Sequence, residues 1–177
     1  EQAAKEGEAI QALLRQVPVS PGQAYAIPAG TVHAIGAGIV LYEIQQSSDV
    51  TYRLYDWGRR DAAGNLRETH LEDSLMVLDL ASRPIAQVPS LLVDDRHGKR
   101  EVLLRTPHFV VDRLSGCEGM EIPPDSTRFQ ALTALSEGHL AWDGERLRLG
   151  GGQTVLLPAE GYPLSFSGDS ALLCAPA

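Results

Sequence analysis

The stretch IPAGTVHAIGAG, residues 27–38, places one imidazole, His33, after a Pro-Ala-Gly corner and ahead of Gly36 and Gly38. A neutral imidazole is a good ligand for zinc or iron. One histidine cannot hold a metal by itself, and neither HxH nor HExxH spacing occurs in the chain. Glu43 follows in IVLYEIQQ and Arg53 in VTYRLYDW. Strand alternation sets Glu43 on a face with Ile39, Leu41 and Gln45, where a carboxylate is costly unless paired or used. The opposite register turns it to water. Arg53 shares a face with Thr51 and Tyr55. A guanidinium in a barrel mouth binds carboxylate or phosphate, whereas most strand arginines are solvated. From spacing alone the three residues are a weak constellation.

The other polar residues read as structural. His70 is expected on the surface at a helix start, and His97 in the charged turn DDRHGKR. His108 and His139 fall among strands of the second half. The GGG at 150–152 lacks the Lys-Ser/Thr of a phosphate loop and reads as a turn. Asp49 and Asp56 flank Arg53, and either is placed to pair with an arginine.

These side chains need elements to position them. Residues 1–16 carry Ile10, Leu13 and Leu14 at helical spacing, with Val17 just after. The pattern is already running at Glu1 with no entry signal, so the reading is a helical remnant of an upstream part. From Pro18, short β-branched and aromatic runs alternate with Pro and Gly: AYAIPAG, TVHAIG, IVLYEIQ, VTYRLYDW. Such spacing predicts barrel or sandwich strands over 17–67. DAAGNLRE is a loop. A connecting helix is expected over 68–82, with Leu71, Leu75, Met76 and Leu78 on one side and a Thr69/Glu72 capping box. Residues 83–177 return to strands. PGQAYAIPAGTVHAIGAG and GGQTVLLPAEGYPLSFSG also align, with Gln23 on Gln153 and Pro28 on Pro158. That alignment puts Pro163 opposite His33. The implied architecture is mainly all-β: two related barrels, one with a site and one without.

Composition sets the outer limits. At 177 residues the chain suits one large domain or two small ones, and its hydrophobic content of 44% suits a globular protein. A net charge of −8 argues against nucleic acid as partner, and means that an anionic substrate needs a local cationic site. No apolar run is long enough to span a membrane. Cys117 and Cys174 lack CxxC spacing and are expected as buried thiols, which fits a reducing cytoplasm.

The wording PAGTVHAIGAGIVLYEIQQSSDVTYRLYDWGR, followed more loosely by ETHLEDSLMVLD, resembles the type I mannose-6-phosphate isomerases of the cupin superfamily. The resemblance implies two cupin-like jelly-roll barrels, with a short helix between them. It implies a zinc-dependent, cytoplasmic isomerase interconverting mannose 6-phosphate and fructose 6-phosphate. His33 then matches a zinc ligand, and Arg53 and Glu43 match active-site groups. The family's Gln-x-His pair and first Glu have no counterpart here. The chain therefore looks like a C-terminal portion, inactive alone, whose remaining zinc ligands lie upstream. The competing reading is a non-catalytic cupin module that binds a sugar or a partner.

Overall fold

A computed structural model describes residues 8–177, apart from Asp49 and Val88. The chain divides into two compact units, Glu1–Ala86 and Gln87–Ala177.

The first unit holds little regular structure. Helix α1 spans Glu8–Leu13, with Ile10 buried, and strand β1 spans Ala24–Ala26. The rest of the anticipated helical remnant, residues 1–7, lies outside the described residues. Helix α2 spans Leu71–Val77 and is shorter than the 68–82 anticipated. Its N-cap is His70, with no side-chain cap bond, so the Thr69/Glu72 box is not made. Leu71, Leu75 and Leu78 are half-buried, but Met76 is 78% exposed, at the edge of the apolar face. Strand β2, Ile85–Gln87, pairs with β1.

The strands anticipated through TVHAIG, IVLYEIQ and VTYRLYDW are absent, so the first barrel is not formed among the described residues. Strands exist by pairing, and the described residues of 31–52 find no partner ladder. Ile35, Ile39, Val40, Leu41 and Tyr42 are all exposed, Val40 completely.

The second unit is an eight-stranded antiparallel sheet. Its strands are β3 (Ser90–Asp95), β4 (Gly98–Arg105), β5 (Phe109–Ile122), β6 (Gln130–Ala134), β7 (Gly138–Trp142), β8 (Glu145–Leu149), β9 (Thr154–Leu157) and β10 (Leu164–Pro176). The order runs β3-β4-β5-β10-β6-β9, with β7 joining β10 and β8 joining β7. The long β5 and β10 form the spine, from Leu164 opposite Ile122 to Pro176 opposite Phe109. Across β10's other edge, β7 pairs with its first half and β6 with its second. The anticipated closed second barrel is an open sheet among the described residues. Its edge strand β3 is exposed at every position, although it reads LLV at its centre.

The core lies on one face of this sheet. Phe166, Leu114, Ile122, Leu132 and Leu140 are almost wholly buried there. Burying such side chains supplies about 1.5–3 kcal/mol each. Gly138 and Gly168 make room for Phe166: a Cβ at either would lie 2.8 Å from its ring. Cys117 and Cys174 are both buried. Burial pushes the Cys117 thiol up to about 11, which keeps it protonated and unreactive.

The internal repeat survives as a shared turn. Ser20 N–H donates to Gln23 Oε1 at 2.7 Å, and Gln23 N–H to the Ser20 carbonyl at 3.2 Å. Gly150 N–H donates to Gln153 Oε1 at 2.6 Å, and Gln153 N–H to the Gly150 carbonyl at 3.1 Å. Gly22 and Gly152 both have φ of 84°. At the same offset 34–46 corresponds to β10, which is paired on both edges, whereas 34–46 is paired on neither among the described residues.

Candidate functional site

His33 is held by the corner before it. Thr31 N–H donates to the Pro28 carbonyl at 3.2 Å, closing a turn through Gly30. Gly30 has φ of +78°, and a Cβ there would lie 2.6 Å from the Val77 carbonyl oxygen at the end of α2. Only glycine fits both demands. The Gly30 carbonyl accepts from Asp79 N–H at 3.0 Å, and the Thr31 and Ser82 hydroxyls hydrogen-bond to each other. Two residues later His33 Nδ1 donates to the Thr31 carbonyl at 2.9 Å. A carbonyl only accepts, so the proton sits on Nδ1 and the Nε2 lone pair faces outward from an exposed ring. Metal-binding histidines are commonly oriented in this way.

Arg53 is fixed differently. Its backbone N–H donates to His70 Nδ1 at 3.1 Å, and its carbonyl accepts from His70 N–H at 2.8 Å. His70, anticipated as a surface residue, is half-buried and clamps Arg53 to the start of α2. The Arg53 guanidinium donates to the Glu68 carbonyl at 2.8 Å, and its Nε lies 3.7 Å from Asp56 Oδ1.

Asp56 is the centre of a charge cluster that sequence reasoning valued only as a possible ion-pair partner. Its side chain is 8% exposed. Around Oδ1 stand Arg53, Arg59 at 3.6 Å and Arg67 at 3.5 Å. Its Oδ2 is buried without a hydrogen-bond partner. Two turns bring the arginines in. At Asp56–Arg59 the chain reverses through Trp57 and Gly58, both with positive φ, 52° and 64°, and Arg59 N–H donates to the Asp56 carbonyl at 3.0 Å. The Arg59 guanidinium then stacks 5.5 Å from the Trp57 ring. Next, Arg60 bridges Leu66 around a loop in which Asp61 accepts from Ala63 and Asn65 N–H, both at 2.9 Å. Those donors lower the Asp61 pKa, Asn65 foremost. The hairpin carries Arg59 and Arg67 back to the same carboxylate. Three guanidiniums against one carboxylate leave surplus positive charge within an acidic chain.

Glu43 is exposed, on a segment with no strand pairing. No hydrogen bond or ion pair joins His33, Glu43 and Arg53 to one another among the described residues. Nor do those residues contain any group of three or more His, Cys, Asp or Glu able to hold a metal. His33 has the form of a single ligand, and the donor set is incomplete. Asp49 lies outside the described residues. The remaining histidines are structural: His97 Nδ1 donates to the Glu118 carbonyl at 3.1 Å, His108 is exposed and His139 is half-buried in β7.

Comparison with known proteins adds the following. No protein-family profile matches the chain. It is 57% identical over 72 residues to mannose-6-phosphate isomerase ManA of Bacillus subtilis, covering 41% of this chain and 23% of that protein. It is 32% identical to the mannose-6-phosphate isomerase of Streptococcus mutans over 91% of this chain, and spans 50% of that enzyme. The chain thus covers at most about half the length of these relatives. Among solved structures, the mannose 6-phosphate isomerase of Bacillus subtilis shares the fold with a TM-score of 0.64 at 23% identity, over 73% of this chain and 41% of that one. No helix among the described residues is long and apolar enough to cross a membrane.

Proposed function

We propose that this chain is the C-terminal portion of a zinc-dependent mannose-6-phosphate isomerase of the type I, cupin-fold class. The observation that carries the reading is the similarity to the Streptococcus mutans enzyme along 91% of the chain. Local support comes from the orientation of His33 and from the arginine cluster on Asp56.

In this reading His33 supplies one zinc ligand through Nε2, and the other ligands come from segments upstream of Glu1. Bound zinc would polarise the sugar oxygens as a Lewis acid. This chain's own residues do the rest. The reaction moves a proton between C2 and C1 of the hexose and builds negative charge on the neighbouring oxygens. Arg53, held at its backbone by His70, is the fixed cation that meets that charge. Glu43 is the candidate to carry the proton or to orient a hydroxyl. Arg59 and Arg67 share one counter-ion with Arg53 and have donors to spare, which suits a phosphate dianion.

The unpaired 34–46 segment supports the fragment reading. Its counterpart in the repeat, β10, is flanked by strands on both edges, so 34–46 is expected to gain ladders from upstream strands. The test compares this chain alone with the chain mixed with a separately produced upstream segment, assaying tight zinc and conversion of mannose 6-phosphate. Alone, neither is expected; mixed, both return. One tight zinc and turnover from this chain alone would overturn the fragment reading, and failure of the mixture to turn over would overturn the isomerase reading.

A further inference from the structure

Arg53 is anchored by three bonds to one short segment, 68–70. Its guanidinium donates to the Glu68 carbonyl at 2.8 Å. Its carbonyl accepts from His70 N–H at 2.8 Å, and its own N–H donates to His70 Nδ1 at 3.1 Å. The first two bonds use groups that do not titrate near neutral pH. The third is different. A backbone N–H only donates, so Nδ1 must present a lone pair and the ring's proton must sit on Nε2. That bond exists only while His70 is neutral. Among the described residues the Arg53 N–H has no other acceptor.

The place of His70 in the fold makes this acceptor an unusual choice. It is the N-cap of α2, where Ser, Thr, Asp or Asn ordinarily turns its oxygen to the helix's own N–H groups. His70 makes no such cap bond, and its ring reaches instead to a residue 17 positions earlier. The side chain is 27% exposed, so protons from solvent reach it. One acid stands near its other nitrogen: Glu68 Oε2 lies 3.9 Å from Nε2. The Tyr52 ring is 6.1 Å away, centroid to centroid. Glu72 and Asp73 follow in the first turn of α2, and neither bonds to the imidazole among the described residues. Arg53 meets Nδ1 with its backbone, while its guanidinium is turned to the Glu68 carbonyl and to Asp56. An imidazolium here would have a carboxylate to attract it at Nε2 and a second donor opposing it at Nδ1.

We propose that His70 is a positioning residue whose single proton gates Arg53: neutral, it latches the Arg53 backbone to the start of α2, and protonated, it lets that backbone go. Protonation turns Nδ1 into a donor and sets two N–H groups against each other across 3.1 Å. The bond is lost as pH falls and is restored as pH rises. An amide or hydroxyl oxygen in the same place would hold Arg53 at every pH, so the imidazole adds the sensitivity to acid. The latch stands on the geometry of the first unit. Its consequence for turnover rests on the isomerase reading, in which Arg53 meets the developing charge.

The test follows the isotope-labelled 177-residue chain by nuclear magnetic resonance from about pH 8 to about pH 5. At the alkaline end the His70 ring is expected to carry its proton on Nε2. As the ring titrates, the Arg53 amide is expected to shift with the same midpoint, and its protection from hydrogen exchange to fall about tenfold. In His70→Asn, whose side-chain oxygen accepts at any pH, the Arg53 amide is expected to stay in place. A neutral ring protonated on Nδ1, or an Arg53 amide unmoved while His70 titrates, would overturn the latch. So would the same transition persisting in folded His70→Asn. Should that variant fail to fold, the titration of the unaltered chain decides. Turnover is read separately, in the chain mixed with the upstream segment. There kcat rather than KM is expected to fall about tenfold or more across the His70 midpoint, and His70→Asn to remove that limb. A kcat indifferent to the His70 midpoint would overturn the gating. A mixture that never turns over mannose 6-phosphate, with the amide titration as expected, would sink the isomerase reading and leave the latch standing.

Discussion

Arg53 and Asp56 show how a side chain's neighbours decide its role. Arg53 is held by its backbone to His70 and by its guanidinium to Glu68, so its charge is aimed rather than solvated. On the proposed isomerase reading, Arg53→Ala in the longer protein is expected to keep zinc and to lose turnover about 10²–10³-fold, as when one donor facing developing charge is removed. Metal analysis beside a mannose 6-phosphate assay checks this, and His33→Ala should do the reverse for metal and release it. Asp56→Ala should be worse for the fold than for chemistry. It leaves three guanidiniums without their shared counter-ion and is expected to destabilise the first unit by about 1–3 kcal/mol, read by urea unfolding. The types at His33, Glu43 and Arg53 were legible in the sequence, because a strand-like pattern advertises odd polar residues. Asp56 and His70 were not, since their importance comes from two turns that fold distant arginines and a helix start onto them. A linear pattern does not record which charges a reversal brings together.

Elements in this chain are legible where they complete their own bonding. The Gln23 and Gln153 turns needed only local donors, and the repeat read from sequence reappears in both hydrogen bonds and φ. The strands of the second unit were also readable as alternating runs, because their partners lie in the same chain. The runs over 31–52 carry equally good strand signals, yet form no strand among the described residues, because strand propensity is realised only across a ladder. The helix over 71–77 came out shorter than its pattern, since the anticipated capping box gave way to His70. Gly30 makes a sharp test at this scale. Gly30→Ala meets both a positive φ and the Val77 carbonyl, so it is expected to cost about 1–3 kcal/mol and to loosen the His33 corner from α2. Thermal unfolding with far-ultraviolet circular dichroism would measure it.

At the scale of the molecule, buried apolar surface is concentrated in the second unit, while the first exposes Ile35, Val40, Leu41 and their neighbours. Proteolysis by chymotrypsin or thermolysin is therefore expected to cut first within 31–52 and to leave 98–176 intact. Mass spectrometry of the early fragments would check this, and an early cut within β5 or β10 would contradict it. Acid has a predictable effect on the second unit as well. The Thr127 hydroxyl and the Arg128 guanidinium hold Asp125 at a pKa of about 2, below its ordinary 3.8. Its stabilising contribution is full above about 3.8 and is lost as pH falls through about 2. Asp125→Asn should lower stability at neutral pH, where that contribution is full, and flatten that part of the acid-unfolding curve.

The placement of β10 carries a consequence for biosynthesis. It follows the nine other described strands in the chain, yet it touches β5, β6 and β7 directly and supplies the centre of the sheet. Until those thirteen residues clear the exit tunnel, β5 has only β4 beside it, and nothing joins the β6–β9 pair or the β7–β8 hairpin to β5. The second unit must therefore fold in a late, concerted step, and a nascent chain stalled before Leu164 would be a client for chaperones rather than a partly built sheet.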